Sequence, residues 1–286
     1  DTNWVVLLGP NVNGFEDDLK AFVSKNSDGS ELSREVVALS AGTAAVHLGL
    51  LACGVGPGDE VCVQSFTFCA SSHPITYLGA TPVFIDSEPD SWNMDPELLE
   101  KAIIDRKEKT GKYPKAIVPV ALYGMPYDCD KIMAISEKYG IPVVEDAAEG
   151  CGSRWKGQVL GTFGKFGVLS FNGNKMITTS GGGALICQDA ESKNNVMWYA
   201  TQARDAYPYY QHTAIGYNYR MSNVCAGIGR GQMTVLEDHI AHHKHVQELY
   251  KELLKDVEGV TLHEAPNADY DSNYWLCTIT QIGRAH

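Results

Sequence analysis

The sequence has no CxxC pair, no apolar run approaching a membrane span and a shortage of basic residues, and each lack removes a class of protein. Its eight cysteines, at positions 53, 62, 69, 129, 151, 187, 225 and 277, are scattered and sit mostly in apolar runs such as Val61-Cys62-Val63. A disulfide framework belongs to small secreted chains and a zinc site needs clustered ligands. The cysteines therefore read as reduced core residues, with a cytosolic compartment and no metal expected. No stretch nears the roughly 20 apolar residues that cross a bilayer, and the N-terminus lacks a signal-peptide pattern, so no membrane association is expected. With 23 Lys and Arg against 35 Asp and Glu, the net charge of −12 repels nucleic-acid phosphates and anionic lipid heads. Nucleic acid is thus not an expected partner. A local pocket of backbone amides can still hold a small phosphate ligand, because net charge describes the whole surface.

What is present is a chain of 286 residues, 44% hydrophobic, enough for one large domain or two unequal ones. From about residue 35 to 190, short β-branched runs alternate with helical stretches, which argues for an α/β fold with a mainly parallel central sheet flanked by helices. The expected strands are Val36–Leu39, Glu60–Gln64, Pro82–Ile85, Lys115–Val120, Pro142–Glu145, Gly167–Phe171 and Ala184–Cys187, continuous apolar runs of the kind that buried strands show. Asp95-Pro96-Glu97 is a helix start, with an N-cap, a first-turn proline and an acidic residue. A second helix is expected over Cys129–Tyr139, ended by Gly140. An aromatic, polar stretch from Trp198 to Tyr219 precedes one long helix from Ser222 to about Lys255. Residues 1–220 then form a large domain, and residues 221–286 a linking helix and the start of a small one. The strand-like pieces Val260–His263 and Tyr274–Ile279 are too little for a complete C-terminal domain, so the chain reads as truncated. The closing Gly283-Arg284-Ala285-His286 does not continue the strand pattern and has the look of foreign sequence.

Three elements carry chemistry. Ser40-Ala41-Gly42-Thr43-Ala44-Ala45 lies between a strand and a helix; such a small-residue loop leaves helix N–H groups free, and with the Thr43 hydroxyl it can seat a phosphate monoester. The same residues also serve tight βα packing. Asp146, in Val144-Glu145-Asp146-Ala147-Ala148-Glu149, falls at the C-terminal end of a buried strand, the edge where open α/β sheets bind ligands. A carboxylate there should face a cation, such as a protonated pyridine nitrogen, or else cap a helix. Lys175, in Ser170-Phe171-Asn172-Gly173-Asn174-Lys175, sits in a glycine-flanked loop between two strands. Alone it reads as a solvated lysine; held in a cleft it can lose its proton and form an imine with an aldehyde. Phe68 follows a strand and can stack on a flat ring, although an aromatic there also suits the core. Together the three supply a phosphate seat, a pyridinium partner and an imine-forming amine at the ends of one sheet's strands.

This series, with Gly56-Pro57-Gly58-Asp59-Glu60-Val61, Ser65-Phe66-Thr67-Phe68 and Gly216-Tyr217-Asn218-Tyr219-Arg220, resembles the DegT/DnrJ/EryC1/StrS sugar aminotransferases over about residues 9–279. The resemblance implies the fold-type I architecture of pyridoxal 5'-phosphate enzymes. It implies that Gly42, Thr43, Ala44 and Ser170 hold the cofactor phosphate, that Phe68 stacks on the ring and that Asp146 binds its nitrogen, with Asn172 also among the cofactor-binding residues. Glu149 would lie near the ring hydroxyl, where many members carry Gln or His. Asn218 and Arg220 correspond to a loop that reaches a neighbouring subunit's phosphate, implying a homodimer with shared active sites, with Arg220 the better match. Lys175 separates the chain from related dehydratases that carry histidine there. The implied reaction moves an amino group from an amino acid, glutamate being typical, to the keto group of a nucleotide-linked deoxy-sugar. The run from Ser170 through Gly183 is similar to members that aminate UDP-4-keto-6-deoxy-N-acetylhexosamines, as in bacillosamine synthesis. Two rivals remain: a non-catalytic cofactor-binding relic or regulator, and a metal hydrolase on Glu237-Asp238-His239 with His242, His243 and His245, in which His239 and His243 share a helix face.

Overall fold

A computed structural model describes residues 4–281; the Gly283–His286 stretch lies outside them. In chain order the elements are α1 (Pro10–Val23), β1 (Glu35–Leu39), α2 (Gly42–Ala52), β2 (Glu60–Gln64), α3 (His73–Tyr77), β3 (Thr81–Ile85), α4 (Pro96–Thr110), β4 (Ala116–Val118), α5 (Cys129–Tyr139), β5 (Val144–Asp146), β6 (Arg154–Trp155) and β7 (Gln158–Val159). There follow β8 (Phe166–Ser170), β9 (Gly183–Cys187), α6 (Ala190–Ala200), α7 (Asn223–Met233), α8 (Leu236–Leu254), β10 (Val260–Leu262), β11 (Tyr270–Asp271) and β12 (Ile279–Gln281).

A four-stranded ladder β1-β9-β8-β5 and a three-stranded ladder β4-β2-β3 are joined by parallel bridges from Ile117 to Val143 and from Val120 to Asp146. The order across the joined sheet is therefore β1-β9-β8-β5-β4-β2-β3. Only β9 runs against its neighbours; the other ladders are parallel, in agreement with the mainly parallel α/β expectation. Alternation along each strand divides the interior into two cores, with Val36 and Ala38 on one face of the sheet and Val37 and Leu39 on the other. The first core packs α1, α4, α5 and the start of α8, and the second packs α2, α3 and α6. Helices on both faces explain why the strands read as unbroken apolar runs.

Local signals set the helix ends. The Asp95 carboxylate accepts from the Glu97 and Leu98 amides at the start of α4, and Gly140 ends α5 in the left-handed region at φ 66°. The long helix expected from Ser222 to Lys255 is instead two: Ser222 caps α7, which stops at Met233, and α8 begins at Leu236. Val235, at φ −122° and ψ 7°, breaks the helical path between them. The break lets each helix present its own apolar face inward, Ala226 from α7 and Leu236 and Ile240 from α8. Of the strand expected at Tyr274–Ile279 only Ile279 is in one, at the start of β12; Asn273 and Trp275 are tied instead to loop carbonyls at Glu149, Cys151 and Asn174. Among the described residues no helix is long and apolar enough to cross a membrane.

Candidate active site

Because β1, β2, β4, β5 and β8 are parallel, their C-terminal ends meet at one edge, and there a cavity of about 490 Å³ opens. One wall is the N-terminus of α2. Its capping residue Ala41 makes no side-chain cap, so the first N–H groups of the helix face the cavity beside Gly42, Thr43 and Ser170. The close approach is obligatory: a Cβ on Gly183 would lie 2.4 Å from the Gly42 nitrogen, and one on Gly42 would lie 3.0 Å from the Ser170 Cβ. Ala44 is buried one step further into the helix and does not line the cavity.

Asp146 forms the floor, only 5% exposed. Its Oδ2 accepts the Ser71 hydroxyl at 2.6 Å and its Oδ1 the Ala148 amide at 3.2 Å. Burial pushes this carboxyl above its ordinary range, while Ser71, the Ala148 N–H and Lys175 pull it back. No helix follows Asp146, so the helix-cap alternative does not hold. Glu145, next to it on β5, points to the opposite face and accepts the amides of Gly161, Phe163 and Gly164.

Lys175 is reached from the other side. Its Nζ lies 3.4 Å from Glu149 Oε1 and 4.1 Å from the centre of the Trp275 ring, with 14% of the side chain exposed. It is therefore a cleft lysine and not a solvated one. Glu149 takes the Tyr123 N–H on its second oxygen at 2.7 Å; burial raises its carboxyl, and Lys175 lowers it. The Trp275 indole donates to the Asn174 carbonyl at 2.7 Å, which fixes the ring over the lysine. Phe68 stands at the mouth, 69% exposed, as a free aromatic face and not a core residue, and Asn172 completes the rim.

Two sequence-expected residues lie elsewhere. Arg220 is 5% exposed; its Nη1 is paired with Glu16 and also donates to the Ala38 carbonyl at 2.9 Å. Within the chain it clamps α1 to β1, since a buried guanidinium is costly without its carboxylate. Asn218 is exposed, bridged to Thr201. The helix-face histidines are spent separately, His239 Nδ1 on the Met176 carbonyl and His243 Nδ1 on that of Tyr274. Ser71, Thr67 and Trp275 were not foreseen. Ser71 carries only the weak signal of following Thr67 by four residues, and Trp275 carries none, being 100 positions after the lysine it covers.

Comparison with known proteins points to the same class of protein. EpsN of Bacillus subtilis (strain 168), which goes by the name of a pyridoxal phosphate-dependent aminotransferase, is 45% identical over 279 residues, covering 98% of this chain and 69% of that protein. A UDP-2-acetamido-2-deoxy-3-oxo-D-glucuronate aminotransferase of Pseudomonas aeruginosa is 36% identical, covering 94% of this chain and 70% of its own length. The crystal structure of a DegT DnrJ EryC1 StrS aminotransferase from Brucella abortus superposes with a TM-score of 0.89 at 32% identity, over 99% of this chain and 72% of that one.

The residues fit pyridoxal phosphate: an uncapped helix N-terminus for the phosphate, Asp146 for the ring nitrogen, Lys175 for the aldehyde carbon and Phe68 for the ring face. Fold and cavity thus define a pyridoxal phosphate-dependent aminotransferase. More narrowly, the chain belongs to the DegT/DnrJ/EryC1/StrS aminotransferase family, whose model matches residues 1–285.

Proposed function

We propose that this aminotransferase moves an amino group from an amino acid, glutamate, to the keto group of a nucleotide-linked deoxy-sugar, UDP-4-keto-6-deoxy-N-acetylhexosamine. The observation that carries the reading is the placement of Lys175 between Glu149 and Trp275 in the cavity floored by Asp146. The cofactor, when bound, supplies the electron sink that lets an amine and a ketone exchange through it. The chain's own residues do the rest. The α2 N-terminus with Thr43 and Ser170 would grip the phosphate, Asp146 would hold a proton on the ring nitrogen, and Phe68 would cover the ring against water. Lys175 Nζ would carry the proton that moves during the exchange, and Glu149, 3.4 Å away, would balance its charge when it is protonated. A sugar nucleotide as acceptor is supported by the name of the Pseudomonas aeruginosa relative.

We further read residues 1–220 as the large domain and 221–286 as the linking helices and start of the small one. A homodimer with shared active sites is supported by the exposed aromatic stretch around Tyr209, Tyr210 and Ile215, with Asn218 now the better candidate for reaching the partner. All eight cysteines are free, which supports a reducing, cytoplasmic setting. The test is to incubate the cofactor-loaded chain with glutamate and either UDP- or GDP-linked 4-keto-6-deoxy-sugars and to follow amination by mass spectrometry. A mass change corresponding to keto-to-amine exchange on the UDP-N-acetylhexosamine is expected. Cofactor binding with no amination of either class would favour the relic or regulator reading instead.

A further inference from the structure

Asp146 poses a problem that the cavity residues above do not solve. A carboxylate this buried is costly to keep charged, yet its role toward the cofactor requires the charge. Of its two oxygens, one takes a single long amide bond, and the other takes the hydroxyl of Ser71 at 2.6 Å. Ser71 is 1% exposed and has one proton. An ionised carboxylate only accepts, so that proton points at Asp146 and the Ser71 oxygen is left as an acceptor. Its second neighbour is Thr67 Oγ1 at 2.7 Å, which must then be the donor. The chain from Thr67 through Ser71 to Asp146 has a single direction as long as Asp146 is charged. A proton on Oδ2 would set a second donor against the Ser71 hydroxyl, so the chain would have to reverse or lose a bond; while it keeps its direction, that oxygen is held as an acceptor. Both hydroxyls come from one short segment that leaves β2 and closes in a tight turn at Cys69–Ser71, so they are set as a unit.

We propose that Thr67 and Ser71 are positioning residues: a one-way hydroxyl chain that holds Asp146 as a carboxylate aimed at the ring nitrogen of the cofactor. Two other charged groups face Asp146, Lys175, which favours its charge, and Glu149, which opposes it. Glu145 points to the other face of the sheet and is tied to three amides there. Ser170 on β8 and Val120 after β4 bring no charge. The hydroxyl chain is thus the neutral contribution, one that removal of a single oxygen can isolate. The inference rests on the cofactor reading of Asp146 given above.

The test uses Ser71→Ala, Thr67→Val and Thr67→Ser in the chain as it stands. The Asp146 titration is followed by carbon-13 NMR of its carboxyl without cofactor, and pyridoxal phosphate affinity is followed by visible absorbance. In Ser71→Ala the Asp146 midpoint rises by about one pH unit and the cofactor binds roughly tenfold or more weakly, the scale of a hydrogen bond to a charged group. Thr67→Val moves both in the same direction by less, and Thr67→Ser, which keeps the hydroxyl, leaves them near wild type. A folded Ser71→Ala protein with midpoint and affinity unmoved overturns the proposal. If Ser71→Ala does not fold, Thr67→Val decides: a raised midpoint supports the chain, and an unmoved one overturns it. Failure of the wild type to bind pyridoxal phosphate would instead sink the cofactor reading, while the midpoint comparison would still judge the hydroxyl chain.

Discussion

Asp146 shows how a single residue can be good for function and poor for stability. Burial holds its carboxyl above the ordinary range, so the folded state binds that proton more tightly than the unfolded chain does. Such a group contributes stability below the ordinary carboxylate range and loses it as the pH rises through its raised value. At neutral pH the cofactor-free protein therefore bears the cost of the charge. Asp146→Asn keeps the shape and removes the charge; we expect it to stabilise the cofactor-free chain by about 1 kcal/mol in denaturant titration and to weaken pyridoxal phosphate binding sharply. A destabilised Asn variant would contradict this assignment. By the same sign, wild-type affinity for the cofactor falls on acidification, as Asp146 takes up a proton in a window that begins above the ordinary carboxylate range.

At the scale of elements, neighbouring residues on one strand do opposite work. Glu145 is fully buried and uses its two oxygens on three amides of the 161–164 turn, which leads into β8. Burial raises its carboxyl and the amides lower it. Glu145→Gln replaces one accepting oxygen with a donor that faces amide donors, so we expect a loss of roughly 2–3 kcal/mol in unfolding free energy, with cofactor affinity in the folded fraction little changed. A loss below about 0.5 kcal/mol, the range of an ordinary surface substitution, would show that the turn is held otherwise. Elements were also where the sequence was most legible. β2 and α5 came out with the expected bounds because their capping and turn residues sit at their ends. Capping chemistry starts α7 at Ser222, but apolar spacing alone does not reveal the break at Val235, since either helix continues the same periodicity. The partner of Arg220 within the chain was not legible either: a motif shows which residues recur, not which buried carboxylate, here Glu16, pairs with the charge.

For the molecule as a whole, the C-terminal segment completes a site that the sheet begins. Asn273 is fully buried and ties this segment to the loop after β5: its side-chain amide donates to the carbonyls of Glu149 and Cys151, each at 2.9 Å, and its oxygen accepts the Trp275 amide at 2.8 Å. Through that knot the Trp275 ring is held over Lys175. We expect Asn273→Ala to cost about 2–4 kcal/mol of stability, as loss of a buried network does, and to weaken cofactor binding as well. Stability lost with affinity intact would mean that Trp275 does not bear on the lysine. This junction was illegible beforehand because its partners lie more than 120 positions apart. The phosphate seat, Asp146 and Lys175 were legible because each sits within a few residues of a strand end, where chain order and space agree. All of these features converge on the amine of Lys175. The most direct measurement is the visible absorption spectrum of the chain with pyridoxal phosphate, before and after borohydride, beside Lys175→Ala. A visible band that borohydride abolishes, and that the alanine variant lacks, is the expected result. A folded wild-type chain with no such band, or an alanine variant that keeps it, would contradict the account.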